Sequence, residues 1–593
     1  MLLHWIKNKP NRFLNQRTHH TIRFLSLGFI LLGSSESQAA FPLAARGATA
    51  AVATESEEAT QAALVILKKG GNAVDAAITA ALALGVTRPA ASGLGGGMFA
   101  LVYRARDGQI ITLDAREKSP AKFNVEKFKD VSKNMQDQPV QKGRGITVGV
   151  PGEPAGLAWL SENYGRLPLK DAVAPAVELA ENGFVVNPYL HHVIETHVNS
   201  LREEPALASL FLLPSGAPLA EGSKIKRLRL AKTLRQFGKK GVQAIYQGEI
   251  AQKIVQTVHS AGGEMSLDDL ASYRPIKREP LKRVIQGRTI YTMGAPSAGG
   301  LMLIQMLLMF GAGPTSPLHS YGFNSSQYFY ALLEGMRGSV VDRAYVVGDP
   351  DQGGFVLQAY QQALDSKRLR ARKDLITQRK SRLSSTFATR EGGTSHLIVT
   401  DAEGNIVSLT TTINSGFGSH LVARDTGILL NDQLNDFTLD SDLVSLPSSD
   451  LKEVVGDELN PNRPRPSARP VSSMMPTIIF AGDLPILAAG GTGGRRIATG
   501  VTQAILGRLI FGCEANACVS APRIYVPGDS SVFVESDIPV DVRDNLKEEG
   551  VKCIHENFMH TSVQMLLWQY KVKGDKTISA ASDPRKGGCA LAY

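Results

Sequence analysis

The sequence predicts an α+β protein built in layers, and three observations carry that prediction. Thr54–Val86 is Ala-rich with helical periodicity, interrupted once at Gly70–Gly71. The chain then stays helix-rich to about Arg382 and changes beyond Ser395 to short β-prone runs separated by Gly, Asn and Asp. Helical pattern returns near the end, and such blocks favour helices laid on sheet faces. A chain of 593 residues exceeds one ordinary core, so it holds several domains or one large layered one. With 43% hydrophobic and 20% charged residues it is globular in composition, neither disordered nor multi-spanning.

Residues 1–39 have the make-up of a secretory signal. Lys7, Lys9, Arg12, Arg17 and Arg23 form a basic start, Phe24–Leu32 is apolar, and a small-x-small site ends at Ala39. The apolar stretch is too short to span a bilayer, so the expectation is an exported protein, periplasmic or secreted, with no stable membrane insertion. Five basic residues and Glu36 leave with the signal, so the formal charge falls from +10 to +6. That mild excess implies no nucleic-acid partner. The densest basic run, Lys367–Arg382, has no interleaved aromatics and reads as a solvated helix or tail.

Thr54 and the acidic residues after it mark the start of the first helix. The glycine-rich Ser92–Gly97 is not a dinucleotide fingerprint, because a strand pattern, Met98–Arg104, follows it where a helix should open. Its glycines are expected to permit close backbone packing or positive φ. Ile110–Arg116 is the next strand, and Gly149–Gly183 is helical. His191–His197 is the sole histidine cluster and lacks zinc-protease order, so it reads as a helix surface with no metal. Cys513, Cys518, Cys553 and Cys589 allow one or two disulfides in an exported protein.

The clearest hairpin is Ser395–Thr400, a five-residue turn Asp401–Asn405, and a strand from Ile406. Closing the turn between Thr400 and Ile406 sets His396 opposite Thr410 and Thr394 opposite Thr412. Two opposed threonines can simply stabilise a sheet. Alternatively, Gly392–Gly393 before Thr394 marks a cleavage site. A liberated α-amine, unperturbed pKa about 7.7–8.0, would then be the base for the hydroxyl on the same residue. Before cleavage that hydroxyl could attack the Gly393 carbonyl and shift the acyl group from nitrogen to oxygen.

Thr394–Phe437 resembles the small-subunit start of the γ-glutamyltranspeptidase (glutathione hydrolase) family. The motifs RPAASGLGGGMF, DAREKSPA, GVPGEPAG, APSAGG, GDPD, PVSSMMPTI, GGTGGRRI and SDPRKGG follow in that family's order over nearly the whole mature chain. The resemblance implies a four-layer αββα sandwich of the N-terminal nucleophile hydrolase type. It implies a precursor cut between Gly393 and Thr394 into a large subunit, 40–393, and a small subunit, 394–593, that remain a heterodimer. It implies γ-glutamyl transfer from glutathione and other γ-glutamyl amides to water or to amino-acid and dipeptide acceptors, without cofactor or metal.

By the same resemblance Thr394 is the nucleophile, Thr412 orients it, and Gly493 and Gly494 form the oxyanion hole. Arg116, with Ser472 and Ser473, would bind the donor's α-carboxylate, a guanidinium fork matching it bidentately. Asp436, assisted by Asn414 and Gln433, would hold the α-ammonium, and His396 is left structural. Thr438–Pro470 is long enough for a lid but has no Phe, Tyr or Trp, so a loosely closed, hydrolysis-leaning enzyme is expected. Two competing readings are a glutaryl-type (cephalosporin) acylase of the same superfamily and a non-catalytic exported amino-acid-binding homologue.

Overall fold

The computed structural model describes residues 43–134, 144–380, 392–443, 460–528, 531–557, 560–571 and 575–593. The signal segment and residues 444–459 of the expected lid lie outside them. Two seven-stranded sheets form the centre. In spatial order the first runs Cys589–Ala592, Ala51–Thr54, Gly392–Thr400, Ile406–Ser415, Gly97–Arg104, Gln109–Ala115, Ile276–Arg278. The second runs Ala45–Gly47, Lys576–Ser582, Ser562–Tyr570, Leu484–Thr492, Thr477–Ala481, Arg288–Thr292, Leu281–Ile285. Neighbouring strands in both are antiparallel.

Alternation along the strands makes three apolar layers from these two sheets. Ala51, Leu101, Ile398 and Ile406 of the first sheet meet Ile478, Phe480, Leu566 and Ile578 of the second. The residues between them in sequence point the other way. Val52, Ala100, Leu397 and Val407 pack on helices that include Glu57–Lys68, Ala73–Thr87 and Leu169–Asn182. Ile479, Leu487 and Met565 pack on helices Gly299–Phe310, Ser326–Val346 and Arg496–Phe511. The result is the expected four-layer αββα sandwich. With both faces buried, its strands read as near-continuous apolar runs.

Chain segments from both sides of Gly393 are woven into each sheet. The first takes Ala51–Thr54 and Gly97–Ala115 from before that position and Ile406–Ser415 and Cys589–Ala592 from after it. Each set of strands completes the other's hydrogen bonds.

Two sequence expectations need correction, and the state of the cysteines, left open by the sequence, is given by the structure. Thr54 ends a strand, and Ser56 caps the first helix, its side chain accepting from the Ala59 N–H. The shorter hydroxyl placed immediately before the helix wins the cap. The basic run is only partly solvated: in helix Ser366–Thr377, Arg368 and Arg372, one turn apart, both grip the buried carboxylate of Asp342. The two guanidinium groups hold that carboxyl well below the usual carboxylate range, although burial opposes them. The four cysteines are free thiols, with the Cys518 thiol 3.5 Å from the Cys513 carbonyl oxygen.

Candidate active site

The hairpin has the register read from its turn. Ile398 pairs with Ser408, His396 with Thr410 and Thr394 with Thr412. The register then slips by one, Gly393 opposing Asn414. The extra residue is Ile413, and Asn414 takes φ +76°, a left-handed conformation that asparagine tolerates better than most residues. This bulge bends the strand at Thr412, and Gly96 accommodates it: a Cβ there would lie 2.0 Å from the Thr412 carbonyl oxygen.

The bulge gives Thr412 a complete set of partners. Its hydroxyl oxygen lies 3.1 Å from Thr394 Oγ1, donates to the Gly393 carbonyl oxygen at 2.7 Å and accepts from the Asn414 N–H at 2.9 Å. A hydroxyl has one proton, and Gly393 takes it. The Thr394 hydroxyl is therefore the donor between the two threonines, its oxygen held beside the carbonyl of its own peptide bond.

His396 takes no part in this. Its ring is buried, with Nδ1 2.8 Å from Thr410 Oγ1 and Nε2 3.4 Å from Ser408 Oγ, and burial holds its pKa down at about 3. A ring that stays neutral through the working range is packing, not a proton acceptor poised near pH 7. Ser395 points to the other face, its hydroxyl 3.2 Å from that of Ser92.

Gly493 and Gly494 end the strand Leu484–Thr492 and turn into helix Arg496–Phe511 with φ of +119° and +59°. A Cβ on Gly392 would lie 2.8 Å from the Gly494 Cα, so this turn sits against the chain entering Thr394.

The charged residues gather at the turn Gln433–Asp436. Arg116 Nη2 donates to Asp436 Oδ2 at 2.7 Å and to the Val471 carbonyl at 2.7 Å, and Nε donates to the Pro470 carbonyl at 3.2 Å. Gln433 Nε2 donates to the same Asp436 oxygen at 2.7 Å. Three of the five N–H groups of Arg116 are engaged, and Nη1 lies 3.9 Å from Glu117 Oε2. Charges set to grip the two ends of one zwitterion must lie close together, and here they pair. The Asn414 amide donates to the Asp432 carbonyl at 3.2 Å, tying the bulge to the turn. Ser472 and Ser473 follow the two carbonyls that hold Arg116, and Ser472 Oγ accepts from the Met474 N–H at 3.1 Å. Tyr273 fixes the Arg116 backbone from behind, its hydroxyl donating to the Arg116 carbonyl at 2.7 Å.

Two buried carboxyls flank the site. Glu117, fully buried with neither oxygen hydrogen-bonded among the described residues, is pushed up to about 8 by desolvation, against the pull of Arg116. Glu153 accepts from the Thr411 hydroxyl and is raised by burial to about 7.

A profile of the γ-glutamyltranspeptidase family matches residues 59–593. The chain belongs to the γ-glutamyltranspeptidase family. A Bacillus subtilis protein named glutathione hydrolase proenzyme is 34% identical over 560 residues, covering 91% of each chain. Its namesake from Escherichia coli is 31% identical over 587 residues, covering 95% of this chain and 97% of the relative. Among solved structures, a cephalosporin acylase from Bacillus halodurans superposes with a TM-score of 0.80 at 26% identity, over 94% of this chain and 98% of that one. Membership establishes an enzyme of the glutathione hydrolase kind, acting in γ-glutamyl hydrolysis or transfer. No helix among the described residues is long and apolar enough to cross a membrane.

The site of this γ-glutamyltranspeptidase relative contains residues that sequence reasoning passed over. Asn462, in the stretch expected to be long enough for a lid, donates to the Asp436 carbonyl at 2.7 Å and accepts from the Val471 N–H at 2.8 Å, bridging the two halves of the charged cluster. Its signal was an asparagine among prolines, a side chain able to replace backbone partners that proline lacks. Arg343, five residues before the GDPD motif, faces the same cluster from helix Ser326–Val346.

Proposed function

We propose that the protein matures by cutting itself between Gly393 and Thr394 and then transfers γ-glutamyl groups through an ester on Thr394. The observation that carries this reading is the hydrogen-bond chain from the Thr394 hydroxyl through Thr412 to the Gly393 carbonyl. In maturation, Thr394 Oγ1 adds to the Gly393 carbonyl carbon while Thr412 supports the oxygen that becomes negative. The carbon–nitrogen bond breaks, the Thr394 nitrogen takes the proton, and water hydrolyses the ester to a Gly393 carboxylate. The interwoven sheets then hold segments 40–393 and 394–593 together as two subunits.

In turnover the freed α-amine takes the proton of its own hydroxyl, and Oγ1 attacks the donor's γ-carbonyl. Gly493 and Gly494 supply N–H groups to the oxyanion, where preorganised donors are worth most. The amine leaves with the proton, and water or the amine of an acceptor takes the acyl group. Arg116 with Ser472 and Ser473 receives the donor's carboxylate, and Asp436 with Gln433 receives its ammonium. The basic, apolar start of the chain would send the protein out of the cytoplasm.

The superposition with a cephalosporin acylase supports a second reading, a glutaryl-type acylase. A glutaryl group has no ammonium, so Asp436 and Gln433 beside Arg116 favour the γ-glutamyl donor. The test uses purified wild type and Thr394→Ala with γ-glutamyl- and glutaryl-4-nitroanilide. Wild type should split into two chains, the lighter beginning at Thr394, and cleave the γ-glutamyl compound, while Thr394→Ala stays whole and inactive. An uncut yet active wild type would overturn the mechanism, and preference for the glutaryl compound would favour the acylase.

A further inference from the structure

Thr492 is the last strand residue before Gly493–Gly494, and its hydroxyl lies between two buried charged side chains. Lys586 Nζ donates to Thr492 Oγ1 at 2.9 Å, and Thr492 Oγ1 donates to Glu55 Oε1 at 2.6 Å. An ammonium only donates and a carboxylate only accepts, so the one hydroxyl proton has a single destination and the side chain a single orientation. Both bonds are charge-assisted, which makes each roughly twice as strong as its neutral counterpart. The two charged residues are anchored in turn. Arg88 Nη2 donates to the backbone carbonyls of both Glu55 and Lys586. The Arg88 guanidinium and the Lys586 ammonium lie over the Tyr189 ring, 5.1 and 5.4 Å from its centroid.

Three parts of the fold meet at this hydroxyl. Glu55 follows Ala51–Thr54 of the first sheet, Thr492 ends a strand of the second, and Lys586 lies on the crossing from Lys576–Ser582 of the second to Cys589–Ala592 of the first. Buried charges are a costly way to join two sheets that already pack through Leu101, Ile398, Ile478 and Leu566. What the bridge adds is direction. Gly493 and Gly494 have no side chains to hold them, and the Gly493 N–H shares a peptide plane with the Thr492 carbonyl. On the far side, helix Arg496–Phe511 fixes the turn, the Arg496 and Ile497 N–H groups donating to the Gly493 and Gly494 carbonyls at 3.1 and 3.2 Å. On the near side, Thr492 is the last side chain before the turn. We propose that Thr492, clamped between Lys586 and Glu55, is a positioning residue that aims the Gly493 N–H at the oxyanion during turnover. The proposal rests on the oxyanion role given above to Gly493 and Gly494, and not on the identity of the acyl donor.

The experiment measures kcat per active site, KM and the rate of self-cleavage for wild type, Thr492→Val, Thr492→Ser, Glu55→Gln and Gly493→Ala with γ-glutamyl-4-nitroanilide, or with the glutaryl compound if wild type prefers it. Lost stability lowers the number of active sites, not the rate of each. Thr492→Val keeps the β-branched shape and removes both bonds. Its kcat should fall about 10–10²-fold, as for a catalytic group misplaced by up to an ångström, with KM little changed. Self-cleavage, in which Thr412 supports the oxyanion, should keep its wild-type rate. Thr492→Ser should restore most of the loss. If Thr492→Val fails to fold, Glu55→Gln carries the comparison, with a smaller fall in kcat and the same unchanged KM. A kcat unaltered by these substitutions, or a fall matched by an equal fall in self-cleavage, overturns the proposal. Gly493→Ala tells the two readings apart. If it keeps the wild-type kcat, the oxyanion role of the turn fails and this proposal with it; if it loses kcat where Thr492→Val does not, the proposal alone falls.

Discussion

Thr394 and Thr412 face each other across a bulged hairpin with their hydroxyl oxygens 3.1 Å apart, and Thr412 spends its single proton on the Gly393 carbonyl. In the proposed maturation one hydroxyl would therefore both polarise the bond to be cut and receive the hydrogen bond of the group that cuts it. Replacing Thr412 by Val keeps the β-branched shape and removes both interactions. Loss of a donor aimed at a developing oxyanion lowers a rate by about 10²–10³. Thr412→Val should thus process about 10²–10³ times more slowly, followed by gel electrophoresis of freshly purified chain, while Thr412→Ser processes nearly as fast as wild type. Processing of Thr412→Val at the wild-type rate would remove Thr412 from the mechanism.

The pH dependence of turnover should report the Thr394 amine and not His396. His396 is held at about 3 by burial, so it carries no proton to lose between pH 5 and 9. The acid limb of kcat/KM should have its midpoint where an α-amine titrates, about 7–8. It should stay there in His396→Asn, measured on whatever fraction of that variant matures. A midpoint that moves with residue 396 would assign the base to the ring.

The hairpin was legible in the sequence because strand side chains repeat every two residues and a five-residue turn fixes where pairing begins, so Thr394 opposite Thr412 followed by counting from Thr400 and Ile406. The slip at Ile413–Asn414 was not, since an inserted residue alters neither composition nor β propensity. The same limit separates Asp342 from Arg343. Their neighbours come from Ser366–Thr377 and from Asp436 and Arg495, which only the packing of four layers brings near. The strands of the first sheet were readable one at a time, but the pairing of Ala51–Thr54 with both Gly392–Thr400 and Cys589–Ala592 is long-range and leaves no local mark. Likewise the sequence names Arg116 and Asp436 as opposite charges, while their 2.7 Å contact depends on where Pro470, Val471 and Asn462 carry the loop.

Glu117 should make the protein less stable as pH rises. Its carboxyl titrates at about 8 in the fold, against an ordinary value of 4.5. Between those values the folded state holds a proton that the unfolded chain has released, so the unfolding free energy falls with rising pH and levels off above about 8. The full effect is on the order of a few kcal/mol. Thermal melts from pH 5 to 9 should show the melting temperature of wild type declining across this window. Glu117→Gln, which cannot titrate, should show a flatter decline whatever its absolute stability. Equal slopes would mean that Glu117 is ionised in the fold.

Gly493 and Gly494 should respond unequally to alanine, and the order follows from the backbone. Gly494 has φ +59°, in the left-handed region that other residues reach at about 1–2 kcal/mol. Gly493 has φ +119°, outside any region open to an L-residue, and a Cβ there would lie 2.5 Å from the His560 carbonyl oxygen. Gly493→Ala must therefore move the turn itself, and in the proposed mechanism that carries both N–H groups off the oxyanion. With one donor worth about 10²–10³ in rate, Gly493→Ala should lose at least that in kcat with a γ-glutamyl anilide. Gly494→Ala, whose φ of +59° an alanine reaches at modest strain, should lose less. Active-site titration with a slow acylating donor separates lost turnover from lost maturation, and a Gly494→Ala enzyme more impaired per active site than Gly493→Ala would contradict this ordering.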